Sequence, residues 1–168
     1  MLANYLIFNE KNYLKICKNL IFLLYLCSRN YKGCTMELKN PIDEARRYVA
    51  NAQEIIKKAN YDAELKCYTD SKYVKTAGNI LWLGCLVALD AVLQVQEGKG
   101  RPSIAKYKEA AGKRDKKLLT YVNTGYSTMH LVMGYDGNKN KKVCEAGFDL
   151  AGDIIDRCAL LYPGEQSA

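Results

Sequence analysis

Apolar positions recur at intervals of three and four residues through most of the chain beyond Met36, the spacing of helices that bury one face. Asn40 followed by Pro41 marks the first start: a capping side chain precedes a proline whose missing N–H is harmless in the first turn. Ala45, Val49, Ala52, Ile56 and Ala59 then share a face, predicting a helix from about Pro41 to Ala59. The polar stretch Tyr61 to Tyr68 reads as a connection, and Thr69 or Asp70 caps a longer helix from about Ser71 to Gln96.

That second helix is apolar on every side from Ile80 to Leu89 (ILWLGCLVAL). Ten residues are too few to span a bilayer, so protein must cover both flanks, either within a bundle or at a subunit interface. Gly78 and Gly84 would let neighbouring backbones approach closely, and Asp90 is either a buried polar anchor or, the favoured reading, the first solvent-facing turn. GKGRP (98–102) stops this helix, and Ser103 caps a short third one through Ala111. Asp115 opens a fourth with the stripe Leu118, Val122, Gly125, Met129 and Val132. After the turn GYDGN (134–138), a fifth helix carries Val143, Gly147, Leu150, Ile154, Cys158 and Leu161, closed by Pro163 and Gly164. No segment alternates as a strand would. The predicted fold is all-α, an antiparallel four-helix bundle with an extra short helix.

The domain therefore covers residues 36–162, with 163–168 a disordered tail. Residues 1–35 form a leader whose run Leu20–Cys27 (LIFLLYLC) follows lysines, as in a secretory signal, but lacks a small-residue cleavage site. It reads as upstream sequence ahead of a start at Met36, as a weak signal-like segment, or as a packed helix. The leader holds +4 of the net charge of +7, leaving the body at +3, so the basic character of the whole chain is no argument for nucleic-acid binding. Of seven cysteines, Cys67, Cys85, Cys144 and Cys158 lie in the body without a CxxC pair, and there is one histidine. No metal, cofactor or membrane span is expected, and a reducing, cytoplasmic setting fits best.

Candidate chemistry centres on His130. Asn123, Tyr126 and Ser127 stand seven, four and three residues before it on one flank of the fourth helix. This polar facet could orient a general acid/base or hold a base or ribose; equally, His130 could sit against the helix C-terminal dipole and be satisfied by a neighbour. A second candidate surface is the basic band Lys99, Arg101, Lys106, Lys108, Lys113, Arg114, Lys116 and Lys117, opposed only by Glu109 and Asp115. It would attract RNA or a phosphate, with Tyr107 and Tyr121 for stacking, or form an ordinary solvated face.

The apolar second helix (AGNILWLGCLVALDAVL), the histidine-bearing penultimate helix and the last helix (KVCEAGFDLAGDIIDRCALL) together resemble the HEPN group of nucleotide-binding and RNase domains. The segments YVKTAG, SIAKYK, DKKLL and MHLVMGYDGN also resemble those of a family of uncharacterised bacterial proteins. The HEPN resemblance implies a helical bundle, a homodimer, and a protein partner such as a nucleotidyltransferase or toxin-antitoxin component. Catalytic HEPN RNases carry an arginine separated from the histidine by four to six intervening residues; Asn123, Thr124 and Gly125 stand there instead. The cation that would stabilise charge on phosphate is missing. The expected function is a non-catalytic HEPN-like binding or interaction domain. The alternatives are an RNA-processing enzyme using His130, and an envelope-associated protein if the leader is a genuine signal.

Overall fold

The computed structural model describes residues 40–96 and 100–163. The expected leader, Lys99 and the tail beyond Pro163 lie outside the described residues. The elements are α1 (Pro41–Lys57), β1 (Tyr61–Asp62), β2 (Cys67–Tyr68), α2 (Ser71–Leu93), α3 (Ile104–Arg114) and α4 (Lys116–Gly125). Then come a π-helical segment, π1 (Tyr126–Asp136), and α5 (Lys141–Leu161). The described chain is mainly helical, as the periodicity predicts.

The helix starts have local causes. The Asn40 side chain accepts from the Ile42 N–H at 2.9 Å, Asp70 from Lys72 at 2.8 Å, and Asn140 from Lys142 at 2.9 Å. Asparagine and aspartate caps of this kind contribute about 1 kcal/mol each. At the expected Ser103 cap, the Ser103 carbonyl accepts from the N–H groups of Lys106 and Tyr107. The second helix ends at Leu93, three residues before the expected Gln96, because Gln94 takes a left-handed conformation (φ 49°). Glutamine is an uncommon choice for that position, so its sequence carries no stop signal.

α2 packs against α1, α3, π1 and α5. Leu81, Cys85 and Leu89 are fully buried, as are Ile42 of α1 and Ile154 and Cys158 of α5. The apolar run of α2 is thus covered largely by its own chain: Leu83 is the one exposed large side chain within it, and Ile80 and Val87 are half-buried. By length and apolar content α2 would also suit a membrane-spanning helix, but half of that window is buried inside the protein, which accounts for its composition. Gly78 and Gly84 do admit close neighbours. A Cβ on Gly84 would fall 3.0 Å from the Ala45 carbonyl oxygen of α1, and one on Gly78 would fall 2.7 Å from the Met129 carbonyl oxygen of π1.

Two features depart from the expected all-helical reading. The Tyr61 to Tyr68 connection contains an antiparallel pair, Tyr61 opposite Tyr68 and Asp62 opposite Cys67. It is stitched to the start of α5: the Tyr68 N–H donates to the Lys139 carbonyl at 2.8 Å, and Cys67 bridges to Asn140. Strands of two residues are too short to leave an alternating pattern. The fourth helix, moreover, changes winding at Tyr126. A π turn holds about one residue more than an α turn, so the buried face moves from the expected Val132, which is half-buried, to Met133 and Gly134.

Asp115 joins two helices. Its carboxylate caps α4 by accepting from the Leu118 N–H at 2.6 Å, and it also accepts from the Arg157 guanidinium of α5, with Nε at 3.1 Å. The Arg157 hydrogen bonds, with help from the Leu118 N–H, lower the Asp115 pKa to about 2. A depressed carboxylate pKa gives stability that is complete above the ordinary value near 4 and disappears as pH falls toward the folded value. Denaturant melts of wild type and Asp115→Asn should therefore differ clearly at neutral pH, and the gap should close as pH falls from about 4 to about 2. A gap that persists unchanged into acid would show that the Asp115–Arg157 pairing contributes nothing.

Candidate functional site

The site forms where α2, π1 and the start of α3 converge. Trp82 and Leu86 lie one turn apart on α2, Tyr126 and His130 four apart on π1, and Pro102, Ile104 and Tyr107 come from the loop before α3 and from α3 itself. They enclose a cavity of about 220 Å³. Its aromatic walls are closely set. The Trp82 and Tyr126 rings meet edge to face with centroids 5.6 Å apart, and the Tyr126 and His130 rings are 5.2 Å apart at 33°. Such contacts hold ring orientations as well as burying area.

Gly125 lies just behind the site. A Cβ there would fall 2.7 Å from the Ile154 Cδ1 atom and 2.8 Å from the Met129 Cε atom, so a side chain at this position would have to displace both. An arginine could not occupy Gly125 without opening these contacts. Asn123 and Thr124 are exposed, and the Thr124 hydroxyl donates to the Thr120 carbonyl.

Of the four predicted facet residues, the structure brings Tyr126 and His130 together at the cavity. It leaves Asn123 and Ser127 exposed, and neither lines it. His130 is also not in the last turn of its helix: π1 continues to Asp136, so the expected dipole contact is not made. The His130 Nδ1 atom is buried with no hydrogen-bond partner. A proton there would bury an unsatisfied N–H, so in the neutral ring the proton belongs on Nε2, which then acts as a donor.

The cavity rim is polar. The Tyr107 hydroxyl donates to Asp90 Oδ1, and Arg101 pairs with Asp90 Oδ2 at 3.3 Å, so Asp90 is both partly exposed and anchored. Burial, then the hydrogen bond to Asp90, pushes the Tyr107 pKa well above the ordinary phenol value. The Lys108 ammonium stands 5.3 Å from the Tyr126 ring centroid. It thereby sits beside one wall of the histidine site, although Arg114 and Lys117 are closer to His130 in sequence.

The rest of the band is largely committed elsewhere. Lys106 and Lys113 both pair with Glu109, the Arg114 guanidinium donates to the Leu161 carbonyl, and Lys117 lies over Tyr121. Lys116 is exposed. Helix spacing gives no sign of Trp82, Leu86, Pro102 or Ile104 as site residues, and it offers Tyr107 only as a stacking side chain beside the basic band. Trp82, the sole tryptophan, was visible only as part of an apolar helix; helix spacing cannot show which distant helix faces it.

The body cysteines are free thiols. Burial pushes Cys158 up to about 12 and Cys144 up to about 11. Cys144 and Cys158 act as small core side chains rather than nucleophiles. Among the described residues no cluster of three or more His, Cys, Asp or Glu side chains is arranged to hold a metal.

Comparison with known proteins places the chain. No curated protein matches it. A solved structure of a protein of unknown function from Dyadobacter fermentans is 39% identical, covering 70% of this chain and 93% of its own, with a TM-score of 0.65. The family model for DUF5618, a domain of unknown function, matches residues 40–159, from the Asn40 cap to the last turns of α5. The chain belongs to the DUF5618 family.

Proposed function

We propose that this protein is a non-catalytic binding and interaction domain, a HEPN-like four-helix bundle with one short extra helix, acting as a homodimer in the cytoplasm. The observation that carries the non-catalytic reading is the setting of His130. It is walled by Trp82 and Tyr126, and no described residue makes an ion pair or hydrogen bond with it. Cleavage at phosphate needs proton transfer together with stabilisation of developing negative charge. The positions where a HEPN nuclease carries its arginine are Asn123, Thr124 and Gly125 here, and Gly125 is closed by packing.

The dimer reading rests on apolar side chains left uncovered on two adjoining elements. Leu83 of α2 is 41% exposed, and Leu131 and Tyr135 of π1 are 39% and 77% exposed. A second copy is the occupant proposed for this surface. A protein partner such as a nucleotidyltransferase or toxin-antitoxin component would use the same kind of contact.

The nuclease question has a direct test: incubate wild type and His130→Ala with mixed single-stranded RNA at low salt without metal. Equal, background-level degradation is expected. Cleavage by wild type that disappears in the variant would promote an RNA-processing enzyme in place of this reading. Sedimentation of wild type should show a concentration-dependent dimer, and a monomer at every accessible concentration ends the dimer proposal.

A further inference from the structure

We infer that the cavity bounded by Trp82, Tyr126, His130 and Tyr107 is a small-molecule site for a planar aromatic carboxylate. Size is the first argument. At about 220 Å³ the cavity lies below the ~300–1,000 Å³ of sites for drug-sized ligands, and it suits one ring or two fused rings with a short substituent. The walls are the second. Trp82, Tyr126 and His130 present ring surfaces, and Leu86, Pro102 and Ile104 add aliphatic surface, a lining that favours a flat apolar body.

The polar groups select the substituent. The Tyr107 hydroxyl is committed to Asp90, and the Arg101 charge is balanced by the same carboxylate. The buried, unpartnered His130 Nδ1 leaves Nε2–H as the donor of that ring. Lys108 lies over the Tyr126 wall and pairs with no carboxylate among the described residues, whereas Lys106 and Lys113 share Glu109. One imidazole N–H donor and one unbalanced ammonium beside an aromatic slot complement an aromatic ring bearing a single anionic acceptor. A neutral amide of the same shape would leave the ammonium unmatched.

Calorimetric titration of the full chain with naphthoate and with naphthamide tests this, and emission from Trp82, the sole tryptophan, reports occupancy of the cavity. Naphthoate should bind once per chain with a dissociation constant on the order of a millimolar or tighter, as expected for a ligand of this size. Naphthamide should bind about tenfold more weakly. Lys108→Met keeps the apolar stem; it should weaken naphthoate about tenfold and leave naphthamide unchanged. His130→Phe keeps a ring and removes the donor, and it should weaken both probes. Thermal melts of the two variants accompany the titrations, so that a folding defect is separated from lost binding. Equal affinities for acid and amide would overturn the carboxylate assignment. Absence of both heat and Trp82 emission change at millimolar naphthoate would overturn the site itself. Binding indifferent to both substitutions would place the ligand elsewhere and also overturn it.

Discussion

Gly78→Val should cost about 3 kcal/mol, the upper end of overpacking penalties, and lower the melting temperature by about 10 °C. At Gly78 a Cβ would meet the Met133 Cβ at 2.6 Å, the Met129 carbonyl oxygen at 2.7 Å and the Gly134 amide nitrogen at 2.8 Å. Two of these three atoms belong to the backbone of π1, which cannot swing aside as a side-chain tip can. The α2 and π1 axes must separate, and the Trp82–Tyr126 contact one turn further along α2 would loosen with them. Gly152→Ala is the matched control. A Cβ there meets nothing within 4 Å in the middle of α5, so the change should be neutral or stabilise by up to about 1 kcal/mol. Circular-dichroism melts of both variants decide the point; a Gly78→Val protein that melts with wild type would mean that α2 and π1 are not in backbone contact.

Trp82→Lys should abolish cooperative unfolding, whereas Leu83→Lys should change stability by no more than about 0.5 kcal/mol. The two positions are adjacent on α2, but Trp82 is 6% exposed and Leu83 is 41% exposed. Truncating a buried tryptophan alone costs about 3–5 kcal/mol, and a lysine adds an unpaired charge to the lost packing. The pair separates two explanations of the apolar α2 run. If Trp82→Lys keeps the wild-type melt and alters only sedimentation, Trp82 lies between subunits. If Leu83→Lys melts normally but sediments as a monomer, the dimer surface proposed through α2 and π1 gains direct support.

The helices were legible because most have a local signal: Asn40 with Pro41, Asp70, Ser103 and Asp115 stand at their starts, the GYDGN turn precedes the last, and burial repeats at helical spacing behind them. The close approaches at Gly78 and Gly84 were legible for a related reason, since a glycine inside an apolar helix is usually kept for contact. The change of winding at Tyr126 was not. A π turn has no composition of its own, and extrapolating an α wheel across it assigned Val132 to the core in place of Met133. The same extrapolation placed Asn123 and Ser127 beside His130. The cavity was hidden for a different reason: Trp82, Tyr107 and His130 come from three elements whose adjacency depends on tertiary packing, and a local period relates only neighbours on one helix, such as Tyr126 and His130.

The stitch between the Tyr61–Tyr68 pair and the start of α5 bears on the order in which the molecule can be completed. During synthesis, β2 is complete while Lys139 and Asn140 are still some seventy residues from being added, and α2 while they are still more than forty away. Until then the Tyr68 N–H has no Lys139 carbonyl to bond, and one side of β2 stays open to water or to a neighbouring nascent chain. Closing that edge requires π1 to have turned the chain back at Gly137. Nascent chains ended within α4 should therefore retain helix yet leave the Tyr61–Tyr68 backbone open to protease, and protection should arrive in one step once α5 has been made.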